Sequence, residues 1–304
     1  MDPRTVTYTR RQLLRTTALI PVCRLLAAAP LERSRLGITT DEIDDDLLAA
    51  ARFLRGFNLG YAEIRNLWGK YNTEQPVEKI REARSILDQH GLKTCILDTG
   101  FFKVPLPADQ AALDKQWSLL DRAFERARLF GTDKIRVFAF TTGKGGEKGP
   151  KDFPRIVELL TEAARRAGAA KMRLAIENVA GSYVGTGAEA ARLLQAVREP
   201  ALGLTWDPNN AAAEGETPFP GGYRRLDPAR IFHVHLRDYK RTGEKVEWRA
   251  VGDGEFDNLG QLRALLKDGY RGTFALETHY RSPQGKEHAT RTSLTGLLKV
   301  MEQV

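Results

Sequence analysis

The chain has 304 residues, 42% hydrophobic and 28% charged, with a formal net charge of +8. That is a globular composition, long enough for two ordinary domains or for one α/β barrel, and no 18-residue apolar run follows the N-terminal stretch to serve as a membrane span. Residues 1–29 hold five arginines against one aspartate, half of the net charge, so the body is too weakly basic to point to a nucleic-acid surface.

The first element in chain order is an address. Thr9-Arg10-Arg11-Gln12-Leu13-Leu14-Arg15 resembles a bacterial twin-arginine export signal. An apolar stretch follows, and Ala27-Ala28-Ala29 offers a cleavage site of the A-x-A type. Arg24 interrupts the apolar stretch. The expectation is an export segment over 1–29, a folded domain over 30–304 and a periplasmic location. The alternative is a basic tail on a cytoplasmic protein. With 1–29 removed, Cys95 is the only cysteine left, so an intramolecular disulfide is excluded.

From residue 36 short strands alternate with amphipathic helices. The predicted strands are Leu36–Thr39, Tyr61–Arg65, Leu92–Leu97, Lys134–Phe140, Arg173–Asn178, Leu202–Asp207, Ile231–Asp238 and Thr273–Thr278. The predicted helices include Val77–His90 closed by Gly91, Leu113–Phe130 closed by Gly131, Phe153–Ala167 closed by Gly168, and Ala188–Val197. Eight strands alternating with helices is the (β/α)8 count of a TIM barrel. No G-x-G-x-x-G follows the first strand, which argues against a doubly wound open sheet. Two glycine-rich loops, Thr142–Lys151 and Gly215–Gly222, follow strands and so belong on the catalytic face.

Side chains alternate faces along a strand. In the last four strands the even positions are apolar: Leu174 and Ile176; Leu202, Leu204 and Trp206; Phe232, Val234 and Leu236; Phe274 and Leu276. These face the helices. The odd positions face into the barrel and carry Glu177, Asp207, His233, His235 and Glu277 near the strand ends. Parity does not separate His233 from His235, but His235 lies nearer the C-terminal end. Three carboxylates converging without a cation would repel one another. Glu177, Asp207, His235 and Glu277 are therefore the expected ligands of one divalent metal. This hard donor set suits Mn²⁺ best and tolerates Mg²⁺, Co²⁺ or Zn²⁺. The competing role for Glu177 is an ion pair with Arg173. Trp68 and Trp248 are candidates for stacking on a sugar ring.

Several ordered stretches then identify a resemblance. They include Thr40-Asp41-Glu42-Ile43, Ala62-Glu63-Ile64-Arg65, Ile176-Glu177-Asn178 and Trp206-Asp207-Pro208-Asn209-Asn210. His233-Val234-His235-Leu236-Arg237-Asp238, Val251 to Asp257, Gly269-Tyr270-Arg271-Gly272 and Leu276-Glu277-Thr278-His279 complete the set. From Leu36 to Val304 the chain resembles the sugar phosphate isomerase/epimerase superfamily, with its xylose-isomerase-like barrel. The resemblance places the metal on Glu177, Asp207, His235 and Glu277, and makes Glu177 and Glu277 the catalytic acid and base on opposite sides of the substrate carbon. Two places depart from the family's pattern. Asn210 stands where many epimerases have a second histidine, and Arg237 where H-x-K-D has lysine. Asn210 still hydrogen-bonds a hydroxyl but does not titrate. Arg237 keeps the positive charge and gives up any Schiff-base role.

The resemblance implies isomerisation or epimerisation of a sugar, keto-sugar or inositol-like polyol through a metal-stabilised enediolate. The alternative is a lyase that eliminates from a 3-keto-glycoside or dehydrates an inosose. A non-catalytic sugar-binding barrel is a third reading. An abasic-DNA endonuclease shares the fold but needs three zinc ions with many histidine ligands, and five histidines are too few. Substrate contacts are expected from Arg65, Lys103, Arg136, Asn178, Asn210, Arg237 and His279, all at or just beyond strand ends. Such barrels are commonly homo-oligomers.

Overall fold

The computed structural model describes residues 31–142, 147–243 and 245–304. The twin-arginine-type segment lies outside the described residues, as does the middle of the first glycine-rich loop. The barrel strands are β1 (Leu36–Thr39), β2 (Tyr61–Ile64), β3 (Lys93–Asp98), β4 (Lys134–Val137), β5 (Arg173–Glu177), β6 (Leu202–Trp206), β7 (Ile231–Leu236) and β8 (Thr273–Leu276). Each pairs in parallel with its sequence neighbours, and β1 pairs with β8 to close the ring. The expected (β/α)8 barrel is the fold.

The helices are α1 (Leu47–Gly56), α2 (Val77–Gln89), α3 (Gln110–Phe130), α4 (Phe153–Ala169), α5 (Gly187–Ala196), the short α6 (Pro208–Ala213), α7 (Asn258–Lys267) and α8 (Lys286–Met301). Local chemistry sets their ends. Asp109 accepts from Ala112 N at 2.8 Å to start α3, and Gly131 closes it in the left-handed region at φ 70°. Thr186 and Glu189 form a capping box on α5. Gly168 does not close α4: the helix runs to Ala169, with Ala170 as cap. Between β7 and α7 a hairpin, Asp238–Thr242 with Lys245–Arg249, rises at the mouth. No helix among the described residues is long and apolar enough to cross a membrane.

The main core lies between barrel and helices. Ile38, Ala62, Val137, Ile176, Trp206 and Leu276 belong to it, all at most 1% exposed. Trp206 also ties β6 to α7, donating from Nε1 to Gln261 Oε1 at 3.0 Å. Parity fails at one position. The β6–β7 register slips by one residue between Leu204 and Thr205. This bulge turns Phe232 away from the helices, to pack with Cys95, Ile96 and Ala175 in a separate small cluster. Gly203 leaves the room: a Cβ there would stand 2.5 Å from both Arg230 O and the Phe232 ring. We expect Gly203→Ala to cost roughly 1–3 kcal/mol. At about 2–4 °C per kcal/mol for a domain of this size, thermal unfolding would show it as a fall of several degrees. An unchanged midpoint would mean that both the Phe232 ring and the Arg230 carbonyl yield freely.

Candidate metal centre

Four consecutive strands deliver the cluster. Glu177 ends β5, Asp207 follows β6, His235 lies in β7 and Glu277 follows β8. All four are buried. Each offers a ligand atom, and these atoms lie within 4.8 Å of one another. His235 Nδ1 faces all three carboxylates, 3.2 Å from Glu177 Oε1, 3.4 Å from Glu277 Oε2 and 3.8 Å from Asp207 Oδ2.

Each carboxylate is also held from behind. Arg136 bridges Glu177 Oε2 at 3.0 Å and Asp98 Oδ2 at 3.2 Å. Arg65 bridges Glu277 Oε1 at 2.7 Å, Glu42 Oε1 at 2.5 Å and Asp41 Oδ2 at 3.1 Å. Asp207 Oδ1 accepts from Asn209 N at 2.9 Å and Asn210 N at 3.0 Å, capping α6, while Arg237 pairs with its Oδ2. Asn210 Nδ2 spans Asp207 Oδ2 at 3.2 Å and Glu177 Oε1 at 3.4 Å. His279 sits at φ 44°, in the left-handed region that a side chain of its size rarely occupies. Its Nε2 reaches Glu277 Oε1 at 3.4 Å, and its Nδ1 meets Arg237.

These residues fit a divalent cation. Glu277 Oε2 is buried with no hydrogen-bond partner. The spacings between ligand atoms suit an ion about 2.1 Å from each. Burial works against charge on Glu277, yet the imidazoles of His279 and His235 hold it well below the usual carboxylate range. Asp207 is lowered too: burial opposes this, but the Arg237 guanidinium and His235 prevail. Burial disfavours a charged His235, but Glu63, Glu277 and the other carboxylates push its imidazole well above its ordinary range. The pocket is short of positive charge, and a cation supplies it. Glu42, Glu277 and His279 also cluster, but Arg65 already fills the space between Glu42 and Glu277.

Of the predicted substrate contacts, Arg65, Arg136, Asn210, Arg237 and His279 gather around the four ligands. Asn178 does not. It is fully buried, donating to Asp207 O at 2.7 Å and Gly185 O at 3.1 Å and accepting from Asp207 N at 2.9 Å. Its hydrogen bonding is spent on backbone, so it positions Asp207 and has nothing left for a substrate. Lys103 makes no ion pair with the four ligands; its ammonium lies 4.7 Å from the Phe138 ring centre. Arg173 is not the partner of Glu177, because it pairs with Asp133 at 2.8 Å. Trp248 lines a cleft of about 530 Å³ with Asp41, Glu42, Arg65, His279 and Arg281. Trp68 instead packs under Lys79.

Two buried groups went unassigned in the sequence, Glu63 and Asp98; His233, the parity alternative to His235, is buried and bonds Glu63 Oε2 at 2.7 Å. Glu63 had a signal, because the alternation that singled out the last four strands also turns it inward on β2. Asp98 had none, since the third strand was expected to stop at Leu97.

Residues 53–300 match the family described as Xylose isomerase-like TIM barrel. The chain belongs to that family. Among curated proteins it is similar to 3-dehydroshikimate dehydratase of Pseudomonas putida, 27% identical over 202 residues, and to mannonate dehydratase of Saccharophagus degradans, 34% identical over 106. The first match takes in 63% of this chain and 31% of that relative, the second 34% and 26%. The chain thus spans a third or less of the curated relatives it matches. Among solved structures it is similar to an IolI protein with a bound zinc atom. The TM-score is 0.72 at 19% identity, covering 88% of this chain and 98% of the other. It is also similar in fold to a D-psicose 3-epimerase of Clostridium cellulolyticum H10, with a TM-score of 0.70 at 14% identity, covering 88% of this chain and 99% of the other.

Proposed function

We propose that this chain is a divalent-metal-dependent isomerase or epimerase that moves a proton beside the carbonyl of a sugar, keto-sugar or inositol-like polyol. One observation carries the reading. Glu177 and Glu277 present their inner oxygens to the same buried point beside His235 Nδ1, and each has its outer oxygen clamped by its own arginine, Arg136 or Arg65. A cation held by Glu177, Asp207, His235 and Glu277, with Mn²⁺ the best match to the donors, would polarise the substrate's oxygens and acidify the adjacent C–H. The protein's part is proton transfer and orientation. One glutamate takes the proton and the other returns one from the opposite face. Asn210, Arg237 and His279 are placed to hold hydroxyls. Arg65 and Arg136 keep the two carboxylates aimed.

A second reading is favoured by the names of the curated relatives, both dehydratases. The same proton is removed, but the β-oxygen substituent then leaves with a proton from the second acid, so that water or an alcohol departs and an alkene forms. One incubation in D₂O separates the two. With keto-sugars, inososes and 3-keto-glycosides as substrates, an epimerase or isomerase returns a product of unchanged composition carrying deuterium at the reacting carbon. A lyase yields an unsaturated carbonyl compound that absorbs in the ultraviolet. No exchange and no product with any member of the panel, from protein holding about one metal ion per chain, would sink both and leave a sugar-binding barrel.

A further inference from the structure

We infer that Glu63 is the positioning residue that dictates which nitrogen of His235 faces the metal. This rests on the reading of Glu177, Asp207, His235 and Glu277 as ligands. Glu63 lies on β2 and reaches through the barrel interior to β7. It is completely buried, as are His233 and His235. Its Oε1 lies 3.0 Å from His235 Nε2 and accepts from Thr39 Oγ1 at 3.0 Å. Its Oε2 accepts from His233 Nε2 at 2.7 Å. The far side of His233 is fixed in turn, with Nδ1 3.0 Å from Thr273 Oγ1.

The assignment follows from donor and acceptor counting. An ionised carboxylate only accepts, so every group pointing at Glu63 must donate. His235 can donate to it only from Nε2. In this structure Nε2 is buried without a hydrogen-bond partner among the described residues, and Glu63 Oε1, 3.0 Å away but outside hydrogen-bond alignment, is the acceptor within reach. A proton held on Nε2 leaves Nδ1 bare in the neutral ring, and Nδ1 is the nitrogen that faces the three carboxylates. A bare nitrogen amid carboxylate oxygens is unfavourable until a cation stands between them. Glu63 thus prepares the ring for metal by setting its tautomer and by making Nδ1 a better donor. His233 and Thr39 have the lesser task of keeping the Glu63 carboxylate in place.

Glu63→Gln removes the compulsion while keeping the shape. A glutamine amide offers one acceptor and one donor group, so either His235 or His233 loses its acceptor. The test pairs zinc affinity, measured by competition with a chelating dye, with ¹⁵N NMR of histidine-labelled, zinc-loaded protein. The wild type should show His235 with zinc on Nδ1 and the proton on Nε2. E63Q should bind Zn²⁺ about 10- to 100-fold more weakly. Zinc on Nε2 in the wild type, or wild-type affinity in a folded E63Q, overturns the proposal. If E63Q does not fold, the wild-type spectrum decides alone. A wild type that takes up no divalent ion removes the metal reading. The assignment of Glu63 falls with it, whereas zinc taken up on Nε2 overturns the assignment alone.

Discussion

Glu277→Gln should lower kcat by about 10²–10⁴-fold, the contribution expected of a general acid or base, with the metal still bound. Glutamine keeps an oxygen for the cation but has no lone pair basic enough to take a proton from carbon. The effect should fall on kcat and leave KM little changed, because Arg237, Asn210 and His279 still hold the substrate. Deuterium exchange into the substrate should stop in parallel. The variant also leaves Arg65 with two carboxylates where it had three, Asp41 and Glu42, so its clamp survives. A Glu277→Gln enzyme with near-normal turnover would exclude this residue as base or acid. Glu177→Gln makes the complementary test at the other glutamate, with the same expected size.

His235→Ala should abolish tight metal binding, and stability reads this without any substrate. An ion bound only by the folded state stabilises it by about 2.7 kcal/mol at a hundredfold excess over Kd. For a domain of this size the wild-type Tm should then rise by roughly 5–10 °C when Mn²⁺ is added. It should fall back on chelation. The variant should show no rise, and metal analysis should find about one ion per wild-type chain and none in the variant. A variant that keeps both the ion and the shift would place the metal elsewhere, and the grouping of the four residues would then be a charge network alone.

Asn178 and Glu63 show where reading in one dimension stopped. Asn178 stands next to Glu177 in the chain and so looked like a neighbour of the substrate. In space it bonds both backbone groups of Asp207, from the adjacent strand. Its importance shifts from contact to geometry, and Asn178→Ala should weaken metal affinity through a displaced Asp207. Arg136 and Arg173 differ in the same way. Both are basic strand residues, but only the one at the C-terminal end of its strand reaches the cluster.

The barrel was legible from the chain alone, because eight apolar strand patterns alternating with capped helices permit little else. So was the face of the last four strands that carries chemistry, because alternation along a strand is a property of the backbone and not of its surroundings. Two kinds of fact were decided only by the tertiary structure. One is pairing across the barrel: which arginine clamps which glutamate, and that Glu63 meets both histidines. These contacts join residues up to 212 positions apart in the chain, and no local pattern encodes them. The other is the slip of register that sends Phe232 inward beside Gly203, since a bulge appears only when two strands are laid side by side.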